Sequence, residues 1–228
     1  MPSLTRQDDV YILNLGDGEN RFNPDWVGAI EDLLDEVEAA PAPRALVTTA
    51  DGKIWSNGLD LEWMGANVDD IAPFIARTQE LFARVLTLGV PTVAAIQGHC
   101  FAAGAMLATA HDARVMREDR GFFCVPEVDI NIPFTKGMAA LLQARWSKRT
   151  AHEAMTTGRR YGAGDAVAAG IVDAAVPLAS VLPEAIARAA AQAGKDAGTL
   201  TRIKQVMYAD ASAALRDADG GFPAPGVS

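Results

Sequence analysis

The chain has 228 residues, with 20 basic against 29 acidic side chains and a formal net charge of -9. Half of the residues are hydrophobic and 21% are charged, the balance of a globular protein rather than a disordered or fibrous one. The acidic balance argues against sequence-independent nucleic-acid binding, which draws its affinity from Lys and Arg neutralising phosphates. Local cations are still able to hold a small anionic ligand.

Cys100 and Cys124 are the only cysteines, too few for a disulfide framework and not a Cys-x-x-Cys pair. The first nine residues carry no apolar h-region. No run of about 18 apolar residues offers a membrane span, and Gly226-Val227-Ser228 is not a Ser-Lys-Leu tail. These features predict a cytosolic protein with reduced thiols, with neither a membrane nor a nucleic acid as partner.

In chain order, Val10–Leu15 reads as a strand, followed by the turn-rich segment 16–20. From Pro24, the residues Trp26, Val27, Ile30, Leu33, Leu34 and Val37 recur at helical spacing until the Pro41-Ala42-Pro43 run. Ala45–Thr49 is a short buried-type strand. Ile71, Phe74, Ile75, Leu81, Phe82, Val85 and Leu86 mark a second amphipathic helix. Thr92–Ile96 is the next strand, Ala102–Ala110 a helix after a break at Gly98, and Ala113–Met116 and Phe122–Val125 are further strands. Beyond Lys136 the pattern is alanine-rich and nearly all helical, broken at 158–164, 170–177 and Gly194. Asp217–Ser228 reads as a loose tail. Strands alternating with helices predict βαβ units and a mainly parallel sheet, the α/β class. Residues 1–190 form the expected core, with a C-terminal helix and flexible tail over 191–228.

Several motifs fail. Gly16-x-Gly18 opens like a dinucleotide fingerprint, but position 21 is Arg. His152-Glu153 begins like a zincin helix, but position 156 is Thr, so no metal site is expected. No Gly-x-Ser-x-Gly elbow is present, and His99, His111 and His152 read as structural.

Two segments carry chemistry. In Trp55-Ser56-Asn57-Gly58-Leu59-Asp60-Leu61, Asn57-Gly58 supplies a tight turn and Asp60 is placed to cap a helix. In Ile96-Gln97-Gly98-His99-Cys100-Phe101-Ala102-Ala103-Gly104, a strand ends and small residues open a helix whose first N–H groups lack intrahelical partners. Taken singly, each is a strand-to-helix turn of the kind α/β proteins contain in numbers.

Together, the two segments resemble the motifs of the crotonase (enoyl-CoA hydratase/isomerase) superfamily. The strand Pro91-Thr92-Val93-Ala94-Ala95-Ile96-Gln97-Gly98 and the downstream Ala166-x-x-x-Gly170-Ile171-Val172 are similar to further signatures of that family. The resemblance runs from about Val10 to about Met207. It implies a β/α spiral core with a helical C-terminal region, and assembly as a homotrimer or hexamer. It also implies an oxyanion hole from the backbone N–H groups of Leu59 and Ala103, which would stabilise a thioester enolate.

The reaction turns on carboxylates. The family's hydratases use two glutamates; here Met106 stands at the first position and Glu127 matches the second. A single base beside an oxyanion hole suits proton shuttling from C2 to C4 of a 3-enoyl thioester, the pattern of Δ3,Δ2-enoyl-CoA isomerases. The Ser-Asn-Gly-x-Asp-Leu and Glu-Val-Asp-Ile strings look like the plant-type members of that group. In a strand Asp129 would share a face with Glu127, and Glu62 is placed to approach the pocket mouth. Lys53 is the favoured cation for the coenzyme A phosphates, ahead of Arg21, Arg202 and Lys204. Asn57, Gly58, Asp60 and Gly104 complete the expected substrate contacts. Trp63, Met64, Phe101, Met106, Ile132 and Phe134 are candidates for the acyl wall. No cofactor is expected, since coenzyme A is part of the substrate. An enoyl-CoA hydratase and a catalytically silent acyl-CoA-binding protein are the alternatives.

Overall fold

A computed structural model describes residues 1–217; most of the tail expected over Asp217–Ser228 lies outside the described residues. The chain opens with an antiparallel hairpin of β1 (Ser3–Gln7) and β2 (Val10–Asn14), followed by β3 (Arg21–Phe22). Helix α1 (Pro24–Ala39) starts where the Asn23 side chain accepts a hydrogen bond from the Trp26 N–H, with proline in its first turn. Its apolar stripe of Trp26, Val27, Ile30, Leu34 and Val37 is buried, as the spacing predicts.

Strands β4 (Ala45–Thr49), β5 (Ile54–Ser56) and β6 (Gly58–Leu59) lead to the short α2 (Leu61–Ala66) and the long α3 (Ile71–Thr87). Then come β7 (Thr92–Ile96), β8 (His99–Phe101), α4 (Ala103–Ala110), β9 (Ala113–Arg117) and β10 (Phe123–Cys124). The C-terminal third holds α5 (Lys136–Arg145), α6 (Lys148–Thr157), α7 (Ala163–Ala168), β11 (Ala174–Val176), α8 (Leu178–Ala190), α9 (Ala197–Met207) and α10 (Ala209–Leu215).

The main sheet has the order β1-β2-β4-β7-β9-β11 and is parallel apart from the first hairpin. Strands β4 and β7 are buried throughout, which accounts for their continuous apolar sequence. Ala45 and Val47 of β4, with Val93 and Ala95 of β7, pack against Val181, Ala185 and Ala189 of α8. Leu46, Ala94 and Ile96 face the other way, into the larger core shared with α1, α3, α4 and α5. The inner strands β2, β4, β7 and β9 thus serve two cores by their period-two alternation.

Two smaller parallel sheets, β10-β8-β5 and β3-β6, stand beside the large one. They carry the turns that matter chemically. At α9, Lys204 turns inward rather than toward solvent: its Nζ donates to the Leu88 and Val90 carbonyls and pairs with Asp112 at 2.7 Å. It anchors α9 to the sheet and is not a free cation. Among the described residues no helix is long and apolar enough to cross a membrane.

Candidate active site

The turn between β5 and β6 is tied from below. Ser56 Oγ donates to the Asn20 carbonyl at 2.7 Å and accepts the Gly58 N–H at 3.1 Å. Gly58 has φ +81°, and a Cβ built on it would lie 2.8 Å from the Ala103 nitrogen and 2.8 Å from the Ala102 Cβ. Only glycine fits, and its absent side chain brings the two turns into contact. Asp60 then caps α2, accepting the Trp63 N–H at 3.1 Å.

Strand β6 bonds to β3 through the Asp60 N–H, which donates to the Phe22 carbonyl at 2.9 Å. Successive N–H groups of a strand point to opposite sides, so the Leu59 N–H faces away from β3. Among the described residues β6 has no second strand neighbour. Its free side faces the start of α4, where Ala103 is the first helical residue and its N–H lacks an intrahelical acceptor. Gly104 lies against Ser56, whose Cβ would be 2.6 Å from a Cβ at position 104; it lets α4 approach the first turn closely.

The carboxylate comes from beyond β10. After Pro126 the chain makes a tight turn, in which the Asp129 and Ile130 N–H groups donate to the Pro126 carbonyl and the Ile132 N–H donates to the Glu127 carbonyl at 3.0 Å. Asn131, at φ +56°, completes it. The segment is therefore not the strand in which Asp129 would share a face with Glu127. The Asp129 carboxylate instead lies over Gly158 at the end of α6, 2.5 Å from where a Cβ would stand. Glu127 is 6% exposed, and its Oε2 is buried without a hydrogen-bond partner. Burial raises its pKa from 4.5 to about 7, outweighing the opposing hydrogen bond from its own backbone N–H.

A cleft of about 50 Å³ is lined by Asn57, Leu59, Leu61, Ala102, Ala103, Met106, Glu127, Ile130, Ile132 and Met138. Asn57, Leu59, Ala103, Met106 and Glu127 therefore meet in one place. Lys53, Gly58, Asp60, Gly104 and Phe134 are not among the lining residues. Gly58, Asp60 and Gly104 shape the turns, while Phe134 packs on the core. Lys53 is exposed, its carbonyl accepting the His99 N–H at 2.9 Å. Glu62 is exposed and outside the cleft. Leu61, Ala102, Ile130 and Met138 line the cleft beyond the contacts expected from the sequence. Leu61 and Ala102 sit inside the quoted motifs and Ile130 lies three residues after Glu127, so each had a local signal. Met138 enters from α5 with none.

A family model described as enoyl-CoA hydratase/isomerase matches residues 6–219. The chain is 37% identical over 185 residues to enoyl-CoA delta isomerase 2, peroxisomal, of Arabidopsis thaliana, covering 77% of each chain. It is 31% identical over 214 residues to a putative enoyl-CoA hydratase of Thermus thermophilus, covering 91% and 83% respectively. A crystal structure of a probable enoyl-CoA hydratase from Mycobacterium tuberculosis superposes with a TM-score of 0.89 at 26% identity, covering 96% of this chain and 93% of that one. The human mitochondrial delta3-delta2-enoyl-CoA isomerase, at 24% identity, shares the fold with a TM-score of 0.89 over 96% and 88% of the two chains. With its paired turns, buried glutamate and near full-length match, the chain belongs to the enoyl-CoA hydratase/isomerase family.

Proposed function

We propose that the protein moves the double bond of a 3-enoyl-CoA to the trans-2 position, with Glu127 as the only proton carrier. The observation that carries this reading is the composition of the cleft: Glu127 is the one ionisable residue among those lining it. Around it stand Leu59 and Ala103, which line the same cleft, and an apolar wall of Met106, Ile130, Ile132 and Met138.

In this reading the thioester oxygen accepts hydrogen bonds from the Leu59 and Ala103 N–H groups. The Glu127 carboxylate removes a proton from C2, and the electron pair delocalises into a dienolate with its charge on that oxygen. Glu127, now protonated, returns the proton to C4; the C3–C4 double bond becomes C2–C3, and the carboxylate is regenerated. A pKa of about 7 suits a group that must both take and give a proton near neutrality. Hydration of a 2-enoyl thioester calls for a second group to handle water. The position that would supply it holds Met106, 1% exposed, and Asp129 is turned toward α6. The naming of plant relatives as enoyl-CoA delta isomerases favours the same choice. The exposed apolar row Ile203, Val206 and Met207 on α9 supports the further proposal of self-association as a homotrimer or hexamer.

Two parallel spectroscopic assays test the reaction. With 3-hexenoyl-CoA, the isomerase reading expects a rise in the ultraviolet absorbance of the conjugated enoyl thioester. With trans-2-hexenoyl-CoA it expects little loss of that absorbance. Rapid loss in the second assay would replace the proposal with a hydratase. Silence in both, with a thermal shift on adding acyl-CoA, would replace it with a silent binder.

A further inference from the structure

Four non-glycine residues have positive φ among the described residues: Asp8, Asn20, Ala102 and Asn131. Three are Asp or Asn, whose short polar side chains tolerate this region. The fourth, Ala102, has φ 51° and ψ -127°, a conformation that only glycine adopts freely. Ala102 lies between the two halves of the candidate oxyanion hole.

Its surroundings hold it there. The Ala102 N–H donates to the Cys124 carbonyl at 3.0 Å, and its own carbonyl accepts the Met106 N–H at 3.1 Å, the first bond of α4. Its methyl lines the cleft and fills the space that a side chain at Gly58 would need, since a Cβ at Gly58 would be 2.8 Å from it. The contact has room for one methyl, and the sequence places it on the residue that pays strain for it. A glycine at 102 would adopt the same dihedrals without cost but would leave the peptide before Ala103 held by these backbone hydrogen bonds alone.

We propose that Ala102 is a positioning residue: its methyl, wedged against Gly58, holds the 102–103 peptide so that the Ala103 N–H is aimed with that of Leu59 at one oxygen. The inference rests on the isomerase reading for the identity of that oxygen, a thioester enolate. Its effect is on the developing charge more than on ground-state binding, because the aim of the Ala103 N–H matters most where negative charge gathers in the transition state.

The test compares the full-length protein with Ala102→Gly and Ala102→Ser. Turnover of 3-hexenoyl-CoA is measured beside the ultraviolet band of the enolate that bound acetoacetyl-CoA forms when an oxyanion hole stabilises it. In Ala102→Gly, kcat should fall about tenfold, equivalent to about 1.4 kcal/mol of barrier. KM should stay within about twofold, the enolate band should weaken, and the thermal midpoint should hold or rise as strain is relieved. Ala102→Ser keeps a Cβ and should retain most of the wild-type kcat and band. Wild-type values of both in Ala102→Gly would overturn the inference, as would equal losses in Gly and Ser. A wild-type protein that shows the band but no isomerisation would refute the isomerase reading while leaving the Ala102 comparison intact through the band. Absence of the band in the wild type would refute the positioning role itself.

Discussion

Replacing Glu127 with glutamine should stabilise the free protein in a pH-dependent way. In the unfolded chain Glu127 ionises at its ordinary value of 4.5; in the folded chain burial holds the proton on to about 7. Below the lower value both states carry the proton and the residue exerts no pH effect. As pH rises through the window the unfolded state loses its proton first, so stability falls progressively and levels off above about pH 7. At about 1.4 kcal/mol per pH unit, the rise from 4.5 to about 7 amounts to about 3.5 kcal/mol at most. Glu127 is 6% exposed, so solvent screening takes little from that figure. Between pH 5 and pH 8 the gap between Glu127→Gln and wild type should therefore widen by about 2.5 kcal/mol. Urea unfolding of both proteins at several pH values without ligand measures it directly. A gap that stays constant across that range would refute the account of a carboxyl held neutral by desolvation. The same burial predicts that wild-type kcat/KM for a 3-enoyl-CoA climbs with pH to a plateau above about 7. Glutamine, unable to carry the proton, should cost about 10²–10⁴-fold in turnover.

Gly58→Ala places a methyl 2.8 Å from the Ala103 nitrogen at φ +81°. It should cost about 1–3 kcal/mol in unfolding free energy and about 10²–10³-fold in kcat, read by denaturation and steady-state kinetics; a fully active variant would remove the two-turn geometry from the mechanism. Met106→Glu puts a second carboxyl into the cleft. Like-charge repulsion should move the acid limb of the rate profile up by about one pH unit, and hydration of trans-2-hexenoyl-CoA should appear; an unmoved limb would mean that the two groups do not interact. Lys204→Met leaves Asp112 without its buried partner. The 3–5 kcal/mol typical of breaking such a pair, reduced because the Asp112 side chain is 34% exposed, becomes about 2–3 kcal/mol in urea, with the pH profile of turnover unchanged.

The elements most legible in the sequence are those whose local signal and tertiary role coincide. Ala45–Thr49 and Thr92–Ile96 are buried on both faces, and their boundaries match the apolar runs. Asp60 caps α2 as its position before the helix predicts. Strand β1 carried no such signal, because Ser3–Gln7 is a mostly exposed, polar edge strand held by its register with β2. β11 falls inside a segment that reads as a helix break; it is a strand because it pairs with the exposed edge of β9. The helical pattern between Lys136 and the break at 158–164 is further interrupted at Trp146–Ser147, where Ser147 caps α6 by accepting the Thr150 N–H.

The sequence by itself determined the α/β alternation, the two strand-to-helix turns, and the place of Met106 on the helix after the second turn. These are local properties, set by residue type and spacing. Only the tertiary structure decided which residues meet. It turned Asp129 toward Gly158, drew Lys204 into a buried ion pair, and brought Met138 from α5 to face Glu127. It also decided the character of the glutamate. A carboxyl keeps its proton to about pH 7 only where water is excluded. The side chains that exclude it come from α4, α5 and the turn after β10, segments that become neighbours only when the chain folds.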